Sequence, residues 1–166
     1  MGADIPVIGL AGFAKSGKTT FMEKLVAEFK KRGYRVGVIK HSQHRVTLDK
    51  PGADTWRHTQ AGADTVALAA PGGISMFKSC PGDPAPEQVI AMFSDVDMIL
   101  IEGYKKGRWP KIEVYHANTA EKPGLPPTEL LAVVSDKPQE PSPVPHFSFD
   151  DVGKAADLIE MTIVKN

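Results

Sequence analysis

Residues 5–40 read IPVIGLAGFAKSGKTTFMEKLVAEFKKRGYRVGVIK, and this stretch decides the fold. Ile5–Ala11 is a short apolar run whose length and glycine-marked end predict a buried strand. The period then changes. Phe21, Met22, Leu25, Val26 and Phe29 fall on one face of a helix running from Lys18 to Arg32. Lys30, Lys31 and Arg32 suit the negative end of the helix dipole, and Gly33 is the stop. Tyr34–Lys40 predicts a second strand, which makes a βαβ unit with a right-handed crossover.

The turn between the first strand and the helix carries the chemistry. Gly12-Phe13-Ala14-Lys15-Ser16-Gly17-Lys18-Thr19 matches G-x-x-x-x-G-K-[ST], the phosphate-binding loop. Its glycines let the backbone wrap an anion with N–H groups pointing inward, and the helix adds its positive end. The candidate nucleotide contacts are Gly12, Ala14, Lys15, Ser16, Gly17, Lys18, Thr19 and Thr20. Lys18 reaches the β- and γ-phosphates, and the Thr19 hydroxyl is a ligand for Mg²⁺. No G-x-G-x-x-G occurs, so a dinucleotide fingerprint is not supported.

Outward from this unit, apolar runs predict strands at Asp97–Ile101, Ile112–Tyr115 and Leu130–Val134, and a short one at Phe147–Phe149. Thr65–Ala70 and Ile74–Lys78 flank Pro71-Gly72-Gly73 and predict a β-hairpin beside the main sheet. Helices are expected from Asp54 through Ala61, from Pro86 to Phe93, and after a cap at Asp150 or Asp151. The last of these carries Val152, Ala155, Ile159 and Ile163 on one face. The alternation predicts an α/β fold of the P-loop NTPase type: a mainly parallel sheet with helices on both faces and a small hairpin insertion. The whole chain, 1–166, is read as one nucleotide-binding domain. Seven of the fourteen prolines lie between Pro123 and Pro145, which predicts irregular surface loops around the Leu130–Val134 strand.

A phosphate loop needs an acid near its metal ion, and ligands of open α/β sheets lie beyond the carboxyl ends of the strands. Glu102 is at that end of the DMILIEG segment, and Asp97 is at the other. Glu102 is therefore the expected Walker-B-type acid, touching Mg²⁺ directly or through water. The segment 40–57 follows the second strand and also lies at the ligand end. In it, Asp49 and Asp54 are candidates for meeting Mg²⁺ or its waters, and Arg57 for balancing phosphate charge. The catalytic set is thus Lys18, Asp49 and Glu102, and the metal set Thr19, Glu102 and Asp49. His41 and His44 have a metal-like spacing without a third soft ligand nearby, so they read as hydrogen-bonding residues of a polar loop. Asp136 ends the Ala132-Val133-Val134-Ser135 strand, where its carboxylate can accept from guanine N1–H and the exocyclic amine.

Composition narrows the classes. Twenty Lys+Arg balance twenty Asp+Glu, so no general basic field for nucleic acid exists. The balance is uneven along the chain, with eleven Lys/Arg against five Asp/Glu over residues 1–62, which suits a compact anionic ligand. No stretch approaches the roughly 20 apolar residues of a membrane helix, and the N-terminus has no basic segment preceding its apolar run, so a cytoplasmic protein is expected. Cys80, the single cysteine, excludes an intramolecular disulfide framework and reads as a buried spectator thiol.

Taken together, GFAKSGKTT, VIKHSQH, DKPGADTWRHTQAGA and DMILIEGYKKGRWPKIEVYH resemble the molybdopterin-guanine dinucleotide biosynthesis adaptor (MobB) family, from about Ile5 to Asp136. The resemblance implies GTP and Mg²⁺ binding, weak hydrolysis of GTP, a homodimer, and partnership with the guanylyltransferase that attaches GMP to molybdopterin. The family's Glu-x-Gly-x-Lys element falls on Glu102-Gly103-Tyr104-Lys105-Lys106 with its register shifted, which leaves Lys105 and Lys106 both open. The cluster of Lys105, Lys106 and Arg108 suits phosphate, molybdopterin or the partner. Two other classes compete. A small-molecule P-loop kinase wants an arginine-rich lid, and the five arginines here, at 32, 35, 45, 57 and 108, form no cluster. A GTP-dependent metallochaperone wants a thiolate or histidine site, for which His41, His44 and Cys80 are the material.

Overall fold

In chain order the elements are β1 (Val7–Ala11), α1 (Lys18–Lys31), β2 (Val36–Lys40), α2 (Asp54–Gln60), β3 (Thr65–Ala70), β4 (Gly73–Lys78), α3 (Pro86–Ile90), β5 (Met98–Glu102), β6 (Lys111–Tyr115), β7 (Leu130–Ser135), β8 (His146–Phe147) and α4 (Val152–Ile159). This computed structural model describes residues 5–44, 49–137 and 141–164. Two compact units result, one of Met1–His41 with Pro86–Asn166, the other of Ser42–Ala85.

The larger unit is a parallel sheet ordered β2-β5-β1-β6-β7-β8. Its central strands carry side chains for two buried faces, as parallel strands must. On one face Ile8, Leu10, Met98, Leu100, Ile112, Val114, Ala132 and Val134 pack against Phe21, Met22, Leu25 and Phe29 of α1 and Ala155, Ala156 and Ile159 of α4. On the other, Ile39, Ile99 and Ile101 pack against Val89, Ile90 and Phe93 at α3 and against Tyr104 and Trp109. Helices therefore cover both faces, as the sequence predicts. Glycines admit two of the large rings: a Cβ on Gly9 would lie 2.4 Å from Trp109 Nε1, and one on Gly37 2.8 Å from the Phe93 ring.

The chain leaves β1 for β2 on one side, while β6 lies on the other side of β1. The carboxyl end of β1 is thus a topological switch point, where a crevice opens for a ligand. The opposite end is closed by Arg35 and Asp97, whose Nη2 and Oδ1 lie 2.6 Å apart. The Arg35 side chain, chiefly, holds the Asp97 carboxyl down to about 2. Asp97 is thereby placed away from the switch point, as expected.

Glu113, only 2% exposed, lies within β6. Its carboxylate accepts from the backbone N–H of Gly124 (2.7 Å) and of Leu125 (2.8 Å), which ties the proline-rich segment to the sheet. Removing it orphans two amides. Glu113→Ala should lower the free energy of unfolding by about 3 kcal/mol, read by urea titration. A loss under ~1 kcal/mol would mean that the segment closes without this contact.

Two local expectations are corrected. The last strand is His146–Phe147, not Phe147–Phe149. Phe149 leaves the sheet because its ring packs edge-on against Phe21 of α1, with centroids 6.2 Å apart. Asp151 is the residue before α4, but its carboxylate turns back to the Ser148 N–H (3.0 Å) and hydroxyl (2.6 Å) rather than capping the helix.

In the smaller unit β3 and β4 pair antiparallel from Thr65 opposite Lys78 to Ala70 opposite Gly73, which is the predicted hairpin. Leu68, Ile74 and Met76 on it are exposed. Cys80 is exposed too, contrary to the buried thiol expected. Its loop follows a two-stranded sheet, which has too little depth to bury a neighbouring side chain.

Candidate functional site

The site is built on the Gly12–Thr19 loop. Gly12 has φ 139, and a Cβ there would lie 2.1 Å from the Val114 carbonyl oxygen, so β6 backbone excludes any side chain. Gly17 (φ 87) precedes α1, and a Cβ there would meet the Phe149 ring at 2.9 Å and His116 Nε2 at 3.2 Å. Lys15 adopts φ 59, a left-handed conformation uncommon outside glycine. No side chain caps α1 and no acid occupies its first turn, so its positive end is left for an external anion.

Ala14, Lys15, Ser16, Gly17, Lys18, Thr19 and Thr20 line a cleft of about 460 Å³, completed by Lys40 and Glu102. Gly12 shapes the loop from beneath and lines a smaller neighbouring cavity instead. Lys18 folds onto its own loop, donating to the carbonyl of Gly12 at 3.1 Å and to that of Phe13. Burial, first, and the charges of Lys40 and Lys105 pull the Lys18 ammonium below the usual lysine range, against the opposing effect of Glu102. Lys105 of the basic cluster is therefore electrostatically part of the site.

Glu102 ends β5 and is 5% exposed. Thr19 Oγ1 donates to it, 3.2 Å from both carboxylate oxygens. The Lys40 ammonium forms an ion pair with Glu102 Oε1. Lys40 ends β2, which pairs with β5 so that Lys40 stands opposite Glu102. The chemistry of this donor set fits Mg²⁺: one hydroxyl and one carboxylate converge, and a hard ion takes its remaining ligands from phosphate and water. Among the described residues no group of three His, Cys, Asp or Glu is gathered to hold a metal by itself.

The other expected residues have contacts of their own. Asp49 is in the smaller unit, where its carboxylate accepts from the Lys50 N–H (2.8 Å) and the Thr55 hydroxyl at the start of α2. Asp54 and Arg57 form a loose, exposed i,i+3 pair at 3.7 Å in the same unit. His41 stacks on Tyr104, with ring centroids 3.9 Å apart. Asp136 follows β7, and its Oδ1 accepts from the Ala117 N–H at 2.7 Å while Oδ2 lies 3.5 Å from His116 Nδ1. The Ala117 hydrogen bond, chiefly, keeps this carboxyl below the ordinary range. His116 in turn stacks on Phe149 (centroids 4.6 Å apart) beside Gly17. Asp136 thus reaches the Gly12–Thr19 loop through His116 rather than by lining the cleft. Arg45, named among the scattered arginines, lies outside the described residues.

Comparison with known proteins adds to this geometry. Residues 7–136 match the profile of molybdopterin guanine dinucleotide synthesis protein B, MobB. The chain belongs to the MobB family. The span runs from the first residue of β1 to Asp136 and so contains every residue lining the cleft. The molybdopterin-guanine dinucleotide biosynthesis adapter protein of Haemophilus influenzae is 38% identical over 144 residues, covering 84% of this chain and 80% of its own. That of Escherichia coli is 30% identical, covering 93% and 91%. The crystal structure of Bacillus subtilis MobB superposes with a TM-score of 0.75 at 29% identity, covering 95% of this chain and 98% of that one.

Sequence reasoning passed over Lys40 and His116. Lys40 is the last residue of a predicted strand, which placed it at the ligand end. Its position opposite Glu102 depends on β2 pairing with β5, across 62 residues of chain. His116 closes the DMILIEGYKKGRWPKIEVYH stretch with no chemistry assigned to it, and only the packing of Phe149 and Asp136 around it marks it.

Proposed function

We propose that this protein binds GTP with Mg²⁺, hydrolyses it slowly, and acts in the cytoplasm as an adapter in molybdopterin guanine dinucleotide biosynthesis. The observation that carries this reading is the convergence of Lys18, Thr19 and Glu102 on one cleft in a chain of the MobB family. Lys18 and the loop amides hold the β- and γ-phosphates, and Thr19 and Glu102 hold the metal ion. Magnesium supplies charge neutralisation across the phosphates when bound. The cleft has one carboxylate against Lys15, Lys18 and Lys40, a surplus of positive charge suited to a polyphosphate. Guanine preference rests on Asp136 at the end of β7, held in place by Ala117 and His116. The guanylyltransferase that attaches GMP to molybdopterin is the expected partner, and molybdopterin itself a second candidate, since an adapter in this biosynthesis has to meet the enzyme it serves. A homodimer is supported by the exposed apolar residues Leu68, Ile74 and Met76 of the hairpin.

Calorimetry of the full chain with Mg²⁺, comparing GTP with ATP, tests the reading. Binding of GTP at least about tenfold tighter than ATP is expected, with light scattering giving twice the chain mass and the guanylyltransferase retained on the immobilised protein. A preference for ATP would overturn the guanine assignment and favour a small-molecule kinase. A monomer that ignores the guanylyltransferase would overturn the adapter role.

A further inference from the structure

Lys18, Thr19 and Glu102 hold the phosphates and the metal ion in the reading above, and of the two remaining charged cleft residues, Lys15 and Lys40, only Lys40 is ion-paired with Glu102. Lys40 has a side chain 59% exposed, yet its ammonium is paired with a Glu102 side chain that is only 7% exposed. The pairing has a physical cause. A buried carboxylate without a positive partner is costly, and Thr19 contributes only a hydroxyl. Lys40 is the cation paired with Glu102. The same carboxylate oxygens face the Thr19 hydroxyl, the second ligand expected for Mg²⁺. A metal ion and the Lys40 ammonium therefore compete for one carboxylate.

The exposure of Lys40 matters at this point. Its stem runs through solvent, so the ammonium is free to swing on its flexible chain without dismantling the core. Displaced from Glu102, it remains in a cleft shared with Lys15, Lys18 and the helix start, where a polyphosphate would bring the strongest negative charge. The phosphate at the metal side of the loop is the terminal one of a triphosphate.

We propose that Lys40 is a placeholder for the metal ion on Glu102 and transfers to the terminal phosphate when a nucleoside triphosphate binds with Mg²⁺. In this role it is the residue that distinguishes tri- from diphosphate. The inference rests on the nucleotide-binding reading given above but is independent of which base is bound. No bond is made or broken in the exchange; one ion pair replaces another.

The test measures affinity for GTP and GDP, and for ATP and ADP, over a range of Mg²⁺ concentrations, for the wild type, Lys40→Met and Lys40→Arg. Lys40→Met should weaken triphosphate binding by about tenfold, the worth of a charge-assisted contact, and leave diphosphate binding within about twofold. The Mg²⁺ concentration giving half of its effect on nucleotide binding should fall several-fold, since the competitor is gone. Lys40→Arg should keep the preference for triphosphate. Equal losses for tri- and diphosphate, or an unchanged Mg²⁺ midpoint in Lys40→Met, would overturn the exchange while leaving nucleotide binding intact. A wild type that binds none of the four nucleotides would overturn both readings. Thermal unfolding of each variant checks that the fold survives, as expected for so exposed a side chain.

Discussion

Lys18→Ala should abolish measurable nucleotide binding, with a loss of at least about a hundredfold, or ~3 kcal/mol. Its ammonium donates to carbonyls of the loop itself, those of Gly12 and Phe13. Burial and the neighbouring charges of Lys40 and Lys105 already disfavour its charged form, so an incoming polyphosphate is the partner that would restore it. Loss of the ammonium removes the cation that folds into the loop, and Lys15, the helix start and the backbone amides remain. The carbonyls it leaves border an open cleft and are rehydrated, so thermal unfolding should change little. Calorimetry on wild type and variant, side by side with the melt, makes the measurement. Binding within a few-fold of wild type would show that this lysine is not the phosphate contact.

The second large effect is on the metal ion. Glu102→Gln should remove the dependence of nucleotide binding on Mg²⁺ and slow hydrolysis by about a hundredfold, as expected when a metal-holding carboxylate is lost. The fold should tolerate the change. Among the described residues, Lys40 is largely exposed and returns to water, and the Thr19 hydroxyl can donate to the new amide oxygen. The expected change in stability is under ~1 kcal/mol. Retention of a wild-type Mg²⁺ dependence would mean that the ion is held elsewhere, with Asp49 the first alternative to test.

Much of the site was legible before any coordinates. The phosphate loop is a contiguous motif, and its neighbours are local in sequence: a strand that ends in it and a helix that starts from it. Glu102 was found by one further step, because an apolar run of five residues has two ends and only one of them faces a ligand in this architecture. Asp97 was excluded by the same reasoning, and its pairing with Arg35 agrees. Local patterns failed where a side chain chose between distant partners. The sequence places Asp136 at the end of β7, but its bond to Ala117, 19 residues away, is set by the packing of β6 beside β7. Phe149 has the residue type of a strand, but an aromatic contact with α1 takes it off the sheet. Cys80 has the chemistry of a core residue, but its loop has no core behind it.

By itself the amino-acid sequence determined the βαβ start, the parallel α/β class, the hairpin, the phosphate loop and the acid at the end of β5. All of these follow from periodicity, turn chemistry and motif spacing, which act over a few residues at a time. Only the tertiary structure decided that Lys40 pairs with Glu102, that His116 and Phe149 pack beside Gly17, and that Glu113 anchors the backbone at Gly124 and Leu125. Each of these depends on strand order and register, which are set by the packing of the whole sheet. The charged contacts that complete the site were therefore fixed by β2 pairing with β5 and β6 with β1, not by any pattern within one segment.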